Sequence, residues 1–181
     1  MRVIAGIHKG TRIDSTSGKW MRPTTDRVRE TLFSCLAEEV LETDVLDLFA
    51  GSGSLGIEAL SRGARSVCFV DRSKQAETVI GRNIRKIGAT AVIYRMTVEK
   101  YVRIAMKKGL DFDLVFSDPP YFQNVLYPFL SDNLAQLVKP GGQIIWESSS
   151  RTGSPQINGM ETCHERIIGE IRLTFFRRNG R

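Results

Sequence analysis

The stretch DLFAGSGSLGIEALSRGA, Asp47 to Ala64, carries Gly51, Gly53 and Gly56 in the spacing G-x-G-x-x-G behind an apolar run. Glycines at Gly51 and Gly53 let main chain approach a ligand, and Gly56 lets the following helix lie close against a strand. Such loops are common, so neighbouring residues decide what this one holds. Asp71 ends the next apolar run, 20 residues after Gly51. A carboxylate there can accept hydrogen bonds from both hydroxyls of a ribose; a turn former or helix cap is its structural alternative. NAD and S-adenosylmethionine both carry that ribose. Asp47 separates them, because a carboxylate beside the loop repels a pyrophosphate. It favours the ammonium and sulfonium of S-adenosylmethionine, directly or through water. Asp47 can also serve as a structural hydrogen-bond acceptor at the strand end.

A second constellation, SDPPY from Ser117 to Tyr121, follows the apolar run FDLVF. It therefore falls at the carboxyl end of another strand, able to face the glycine loop. Pro119 and Pro120 stiffen the turn and fix the direction of Asp118 and Tyr121. A carboxylate beside an aromatic face suits a flat base with an exocyclic amine: Tyr121 stacks on the base and Asp118 accepts from the amine. Holding the N–H bonds turns the amine lone pair toward an incoming methyl group, and alignment supplies much of the rate. A plain Asp-Pro turn is the structural alternative.

The elements that position these residues alternate. VLDLFA, SVCFVD, TAVIYR, FDLVFSDPP and GQIIWESS read as strands, with helical periodicity in LGIEALSR, SKQAETVIGRNIRKIG, VEKYVRIAMKKG and LYPFLSDNLAQLV between them. Strand–helix alternation implies right-handed crossovers and a parallel, doubly wound α/β sheet. CHERIIGEIRLTFFRR reads as a closing antiparallel hairpin broken at Gly169. Ahead of this core, RVIAGIHKGTRID reads as a small β-hairpin with basic tips, and Thr24 or Thr25 caps a helix whose stripe is Val28, Leu32, Cys35, Leu36 and Val40.

The composition, 41% hydrophobic and 25% charged over 181 residues, is that of a globular chain. No run of apolar residues is long enough for a membrane helix. The N-terminus shows no signal-peptide pattern, which makes a cytoplasmic location the expectation. Cys35, Cys68 and Cys163 lack metal-ligand spacing, so no metal is expected. The net charge of +6 is uneven: residues 1–30 hold seven Lys and Arg against three Asp and Glu, and residues 151–181 hold six against three. Basic ends around a balanced middle point toward nucleic acid.

RVIAGIHKGTRI, RPTTDRVRETLFSCL, DLFAGSGSLGIEALSRGA and SDPPY together resemble, in order and spacing, the RsmD family of class I S-adenosylmethionine-dependent methyltransferases. The resemblance implies a Rossmann-like domain over residues 25–181, behind a hairpin extension over residues 1–24 that contacts RNA. It implies methylation of a guanine N2 amine in small-subunit (16S) ribosomal RNA, naked or within an assembling subunit; a DNA adenine-N6 or cytosine-N4 methyltransferase, or a non-catalytic RNA-binding assembly factor of the same fold, is the alternative. The sequence shows no evident interface pattern, so a monomer is expected. Residue by residue, the resemblance implies that Asp47, Phe49, Ala50, Gly51, Ser52, Gly53 and Gly56 surround the methionine and adenosine of the cofactor. Asp71 would hold the ribose with Arg72 beside the adenine, and Arg22 and Thr24 would lie near the cofactor carboxylate. Asp118, Pro119, Pro120 and Tyr121 would form the amine site. Lys9, Arg12, Arg27 and Arg29 would meet RNA, although Arg29 could equally brace its helix against an acid. Where many relatives place an acid near the adenine, this chain has Met96 and Thr97.

Overall fold

The structure, a computed structural model, describes residues 1–15, 25–120 and 126–180. Helix α1 (Asp26–Leu36) starts where Thr25 accepts a hydrogen bond from Val28 N, with Asp26 in the first, electropositive turn. Its buried face is Val28, Leu32, Phe33 and Leu36. The apolar stripe predicts one helix through Val40. Instead the chain breaks at Ala37 (φ 46°) and closes with a 3-10 turn over Ala37–Val40. The break still delivers Val40 to the core, 1% exposed.

From there strands and helices alternate: β1 (Asp44–Leu48), α2 (Ser54–Ser61), β2 (Ser66–Asp71), α3 (Lys74–Lys86), β3 (Val92–Arg95), α4 (Val98–Lys108), β4 (Phe112–Ser117), α5 (Leu126–Asn133), β5 (Val138–Ser149), β6 (Glu161–Ile168) and β7 (Ile171–Arg177). The sheet order is β3-β2-β1-β4-β5-β7-β6, parallel except for β7, which runs antiparallel to both β5 and β6. The doubly wound sheet and its C-terminal hairpin are therefore as the sequence indicates. Strand β5 is longer than its apolar core implies, because it begins at Val138 before a register shift opposite β4.

Alternation along the strands feeds two cores. Val45 and Leu114 face the layer of α1, α2 and α3, with Phe33, Ile57 and Ile80. Leu46, Leu48 and Val115 face the layer of α4 and α5, with Tyr101, Val102 and Leu130. Consecutive crossovers lie on one side up to β3 and on the other from α4 onward. The side changes between the neighbouring strands β1 and β4, so their carboxyl ends open a crevice. Gly56 makes one wall possible: a Cβ there would stand 2.3 Å from Phe69 Cε1 on β2.

The N-terminal hairpin is reduced to a single bridge, Arg2 to Arg12. Main-chain bonds still cross it, Val3 N to Thr11 O at 3.0 Å, Gly10 N to Val3 O at 2.9 Å and Ile13 N to Met1 O at 3.1 Å, and other polar main-chain groups go to α2. Ile4 N and Ala5 N donate to the two carboxylate oxygens of Glu58 at 2.8 and 3.0 Å, and Ile7 N donates to Ser61 O at 2.8 Å. Gly6 permits that approach, since a Cβ would overlap Ser61 O. Val3 and Ile13 of this arm are buried in the same core as α1 and α2.

Candidate functional site

The crevice between β1 and β4 is built from three carboxyl strand ends. After Leu48, which pairs with Ser117 of β4, the chain turns sharply through left-handed residues Phe49 (φ 59°), Gly51 (54°) and Gly53 (76°). Glycine adopts this region without penalty, whereas Phe49 holds it at a cost of about 1 kcal/mol. A Cβ at Gly51 would meet only Phe49 O, at 3.9 Å, so the glycine serves conformation and leaves space above the loop. Hydrogen bonds fix the turn: Ala50 N donates to Val70 O at 3.1 Å, and Gly53 N donates to Ala50 O at 2.7 Å. Helix α2 then starts at Ser54, its first turn following the glycine loop directly.

Asp47 is 2% exposed and its Oδ2 accepts from Gly56 N at 2.9 Å. The structural role open to it from sequence is thus present: it ties strand to helix across the loop. Burial pushes its carboxyl up to about 8; the Gly56 bond opposes this, and Asp118 and Asp71 add repulsion. Asp71 is engaged as well. Its Oδ2 accepts from Gly51 N at 3.0 Å and its Oδ1 from Ser73 N at 2.8 Å, so it holds the glycine loop and the start of α3 together. A carboxylate has about four acceptor positions, so these two bonds leave capacity for ribose hydroxyls.

Asp118 follows β4 directly and shares the crevice with Asp47. It retains partial surface exposure, yet the surrounding protein desolvates its carboxyl enough to raise its pKa. Among the described residues no Lys, Arg or His forms an ion pair with Asp47, Asp71 or Asp118. Pro119 is half-buried and Pro120 exposed. Tyr121, Arg22 and Thr24 lie outside the described residues.

At the far side, Met96 N donates to Asp71 O at 3.1 Å, which sets the β3 end beside Asp71. Met96 packs against the α4 core, and Thr97 caps α4 by accepting from Lys100 N at 3.3 Å. Arg72 is exposed. Of the basic residues read as RNA contacts, Lys9, Arg12 and Arg27 are exposed. Arg29 is not: it is fully buried, its Nη2 donating to Arg2 O at 2.6 Å and to Asp26 Oδ1 at 2.9 Å. A guanidinium without surface cannot meet a phosphate, so Arg29 is a brace between α1 and the arm.

Three residues of this region went unread in the sequence. Glu58 and Ser61 hold the arm, and Asn83 on α3 bonds both the arm and Ser52 of the loop. Asn83 does leave a trace: it falls on the apolar stripe of Ala76, Val79, Ile80 and Ile84, where a polar side chain needs a partner.

The chain matches the family model described as Conserved hypothetical protein 95 over residues 1–177. YlbH of Bacillus subtilis (strain 168), named as a candidate rRNA methyltransferase, is 37% identical over 184 residues, spanning 99% of this chain and 100% of YlbH. Ribosomal RNA small subunit methyltransferase D of Escherichia coli (strain K12) is 30% identical over 184 residues, covering 99% of this chain and 91% of its own length. The solved structure of yhhF from Escherichia coli, titled as a candidate methyltransferase, superimposes with TM-score 0.86 at 30% identity, covering 100% of this chain and 99% of that one.

Proposed function

The chain belongs to the ribosomal RNA small subunit methyltransferase D family, and from that premise we propose that it methylates the exocyclic N2 amine of a guanine in 16S ribosomal RNA with S-adenosylmethionine as donor. The observation that carries the reading is the meeting of Asp47, Asp71 and Asp118 at one crevice, over a glycine turn, without a cation among the described residues. Uncompensated carboxylates around open main chain fit a ligand that brings its own positive charge and a ribose.

When bound, the cofactor supplies an electrophilic methyl group on a sulfonium. The chain supplies position. Asp71 accepts from the ribose, and the turn from Phe49 to Gly53 lets main chain line the adenosine and methionine. Asp118, held stiff by Pro119, accepts an N–H of the guanine amine, and Tyr121 stacks on the base. With the donor held by Asp71 and the turn from Phe49 to Gly53, its methyl group would pass from sulfur to the amine nitrogen that Asp118 orients, leaving one amine proton to be lost. A carboxyl raised toward neutrality is matched to receive that proton. The base must be unpaired or flipped out to expose its amine. Lys9, Arg12 and Arg27 contact phosphates of the RNA. The reading extends to a cytoplasmic monomer acting on naked RNA or on an assembling small subunit.

The test is methyl transfer from radiolabelled S-adenosylmethionine to unmodified small subunits, their free RNA and DNA, with Asp118→Ala alongside. N2-methylguanine in ribosomal RNA, lost in the variant, is the expected result. Label in DNA, or no label while the cofactor binds, would overturn it.

A further inference from the structure

The arm and the glycine loop meet in one buried side chain. Asn83 is 0% exposed. Its Oδ1 accepts from Asp14 N at 2.8 Å, and its Nδ2 donates to Asp14 O at 2.9 Å and to Ser52 O at 3.1 Å. The amide thus pairs with both main-chain groups of one arm residue, as a strand neighbour would, and spends its second N–H on the residue between Gly51 and Gly53. Three of its four hydrogen-bonding positions are used. Among the described residues it is the only side chain bonded to both segments.

Other contacts show where the arm is held rigid. The Asp14 carboxylate accepts from Lys86 Nζ at 2.5 Å and lies 3.7 Å from Arg82 Nε, so α3 grips this residue from two sides. Farther along, Glu58, Ser61 and Arg29 fix the arm to α2 and α1. On the other side of Asn83 is the loop, which turns through left-handed glycines on either side of Ser52. Asparagine in a helix interior is less favourable than alanine, so its place on an apolar stripe has to be offset by these bonds. A shift of Ser52 O on cofactor entry must be met by Asn83 and passed to Asp14, because a buried amide does not give up a partner cheaply.

We infer that Asn83 is a positioning residue that couples cofactor binding at the glycine loop to the order of the RNA-contacting arm. The inference rests on the cofactor reading above. Coupling of this kind is reciprocal, so occupancy of the arm also tightens the loop around its ligand.

Hydrogen exchange of the full chain, with and without S-adenosylhomocysteine, reads the coupling directly, after calorimetry has established binding. In the wild-type chain the ligand slows exchange across residues 1–14 as well as around Gly51 to Gly56. In Asn83→Asp, which keeps the shape but loses both N–H donors, slowing is confined to the loop. S-adenosylhomocysteine then binds roughly tenfold more weakly, within the usual span for coupled sites. Asp14→Ala, which keeps the main-chain clasp and loses only the carboxylate, retains the slowing in the arm. Asn83→Ser serves the same purpose if the aspartate variant does not fold. Failure of the wild-type chain to bind would overturn the cofactor reading and this inference with it. Binding with no change in residues 1–14, or slowing of the arm that survives in a folded Asn83 variant, would overturn the inference alone.

Discussion

Strands β1 and β4 each carry an aspartate at both ends, and the two edges of the sheet treat them oppositely. At the amino edge, Asp44 and Asp113 share Lys139, whose Nζ lies 3.0 and 2.9 Å from their carboxylates, and Arg65, just ahead of β2, bonds Asp44. Those partners, Arg65 first, hold the Asp44 carboxyl far below its ordinary value. At the carboxyl edge, Asp47 and Asp118 have no cation partner among the described residues, and burial raises both. The same residue type on the same strands is thus a staple at one edge and an unmet demand at the other. Stability is built where charges are matched; a ligand is awaited where they are not.

The sharpest way to break this comparison is Asp118→Asn. On the proposed reading, the amide leaves only an uncharged acceptor that cannot receive the amine proton, and methyl transfer should fall by about 10²–10³-fold. Cofactor affinity should stay within a few-fold of the parent, as calorimetry would show. A rate near that of the parent would return Asp118 to a mere turn former.

Asp47→Asn should separate the two costs of the carboxyl edge. The amide oxygen can still accept from Gly56 N, but the ionisable carboxyl that burial raises to about 8 is gone. S-adenosylmethionine binding should weaken about tenfold, the value of one lost charge interaction of about 1.4 kcal/mol, while the ligand-free protein should become more stable in urea.

The pH dependence follows with opposite signs at the two edges. A depressed carboxyl such as Asp44 contributes stability above the ordinary carboxylate range near pH 4, and that contribution is lost as pH falls further. A raised carboxyl such as Asp47 makes the folded chain bind protons that the unfolded chain has released, so stability declines as pH rises from about 4 toward 8. Urea midpoints of the ligand-free protein should therefore fall along both limbs. The alkaline limb should flatten in Asp47→Asn and on adding the cationic cofactor. A cofactor affinity that does not rise between pH 6 and pH 8 would contradict the assignment.

Lys139→Ala tests the amino edge. It should cost about 1 kcal/mol, a modest value because these charges are partly exposed and screened, and leave the methyl-transfer rate unchanged. The smallest effect is expected at the arm: Lys9→Ala should weaken RNA binding a few-fold at low salt and reduce the slope of affinity against salt by about one ion. Arg29→Ala, by contrast, should lower thermal stability without touching that slope.

Much of this was readable in the chain. The glycine spacing, the Asp71 offset and the Asp-Pro-Pro turn are local signals, since each depends on a few consecutive residues and one strand end. The strand and helix order came from periodicity. What periodicity missed was the end of α1, where Ala37 takes a left-handed conformation that no turn residue announces. It also gave no sign that the N-terminal hairpin, besides its own cross-strand bonds, donates main-chain N–H groups to Glu58, more than 50 residues away. For Arg29 the resemblance implied an RNA contact while a brace against an acid stayed open, and burial together with the Asp26 bond decides for the brace.

By itself, then, the sequence determined the element order, the turn chemistry and the residues able to meet a charged nucleoside cofactor, because those properties are set by neighbours along the chain. The tertiary structure decided which charges are matched and which are not, which arginine is a brace, and that one asparagine joins the arm to the loop. Each of those is a contact between residues far apart in sequence. Such contacts exist only once the side of each crossover and the register of each strand have been chosen.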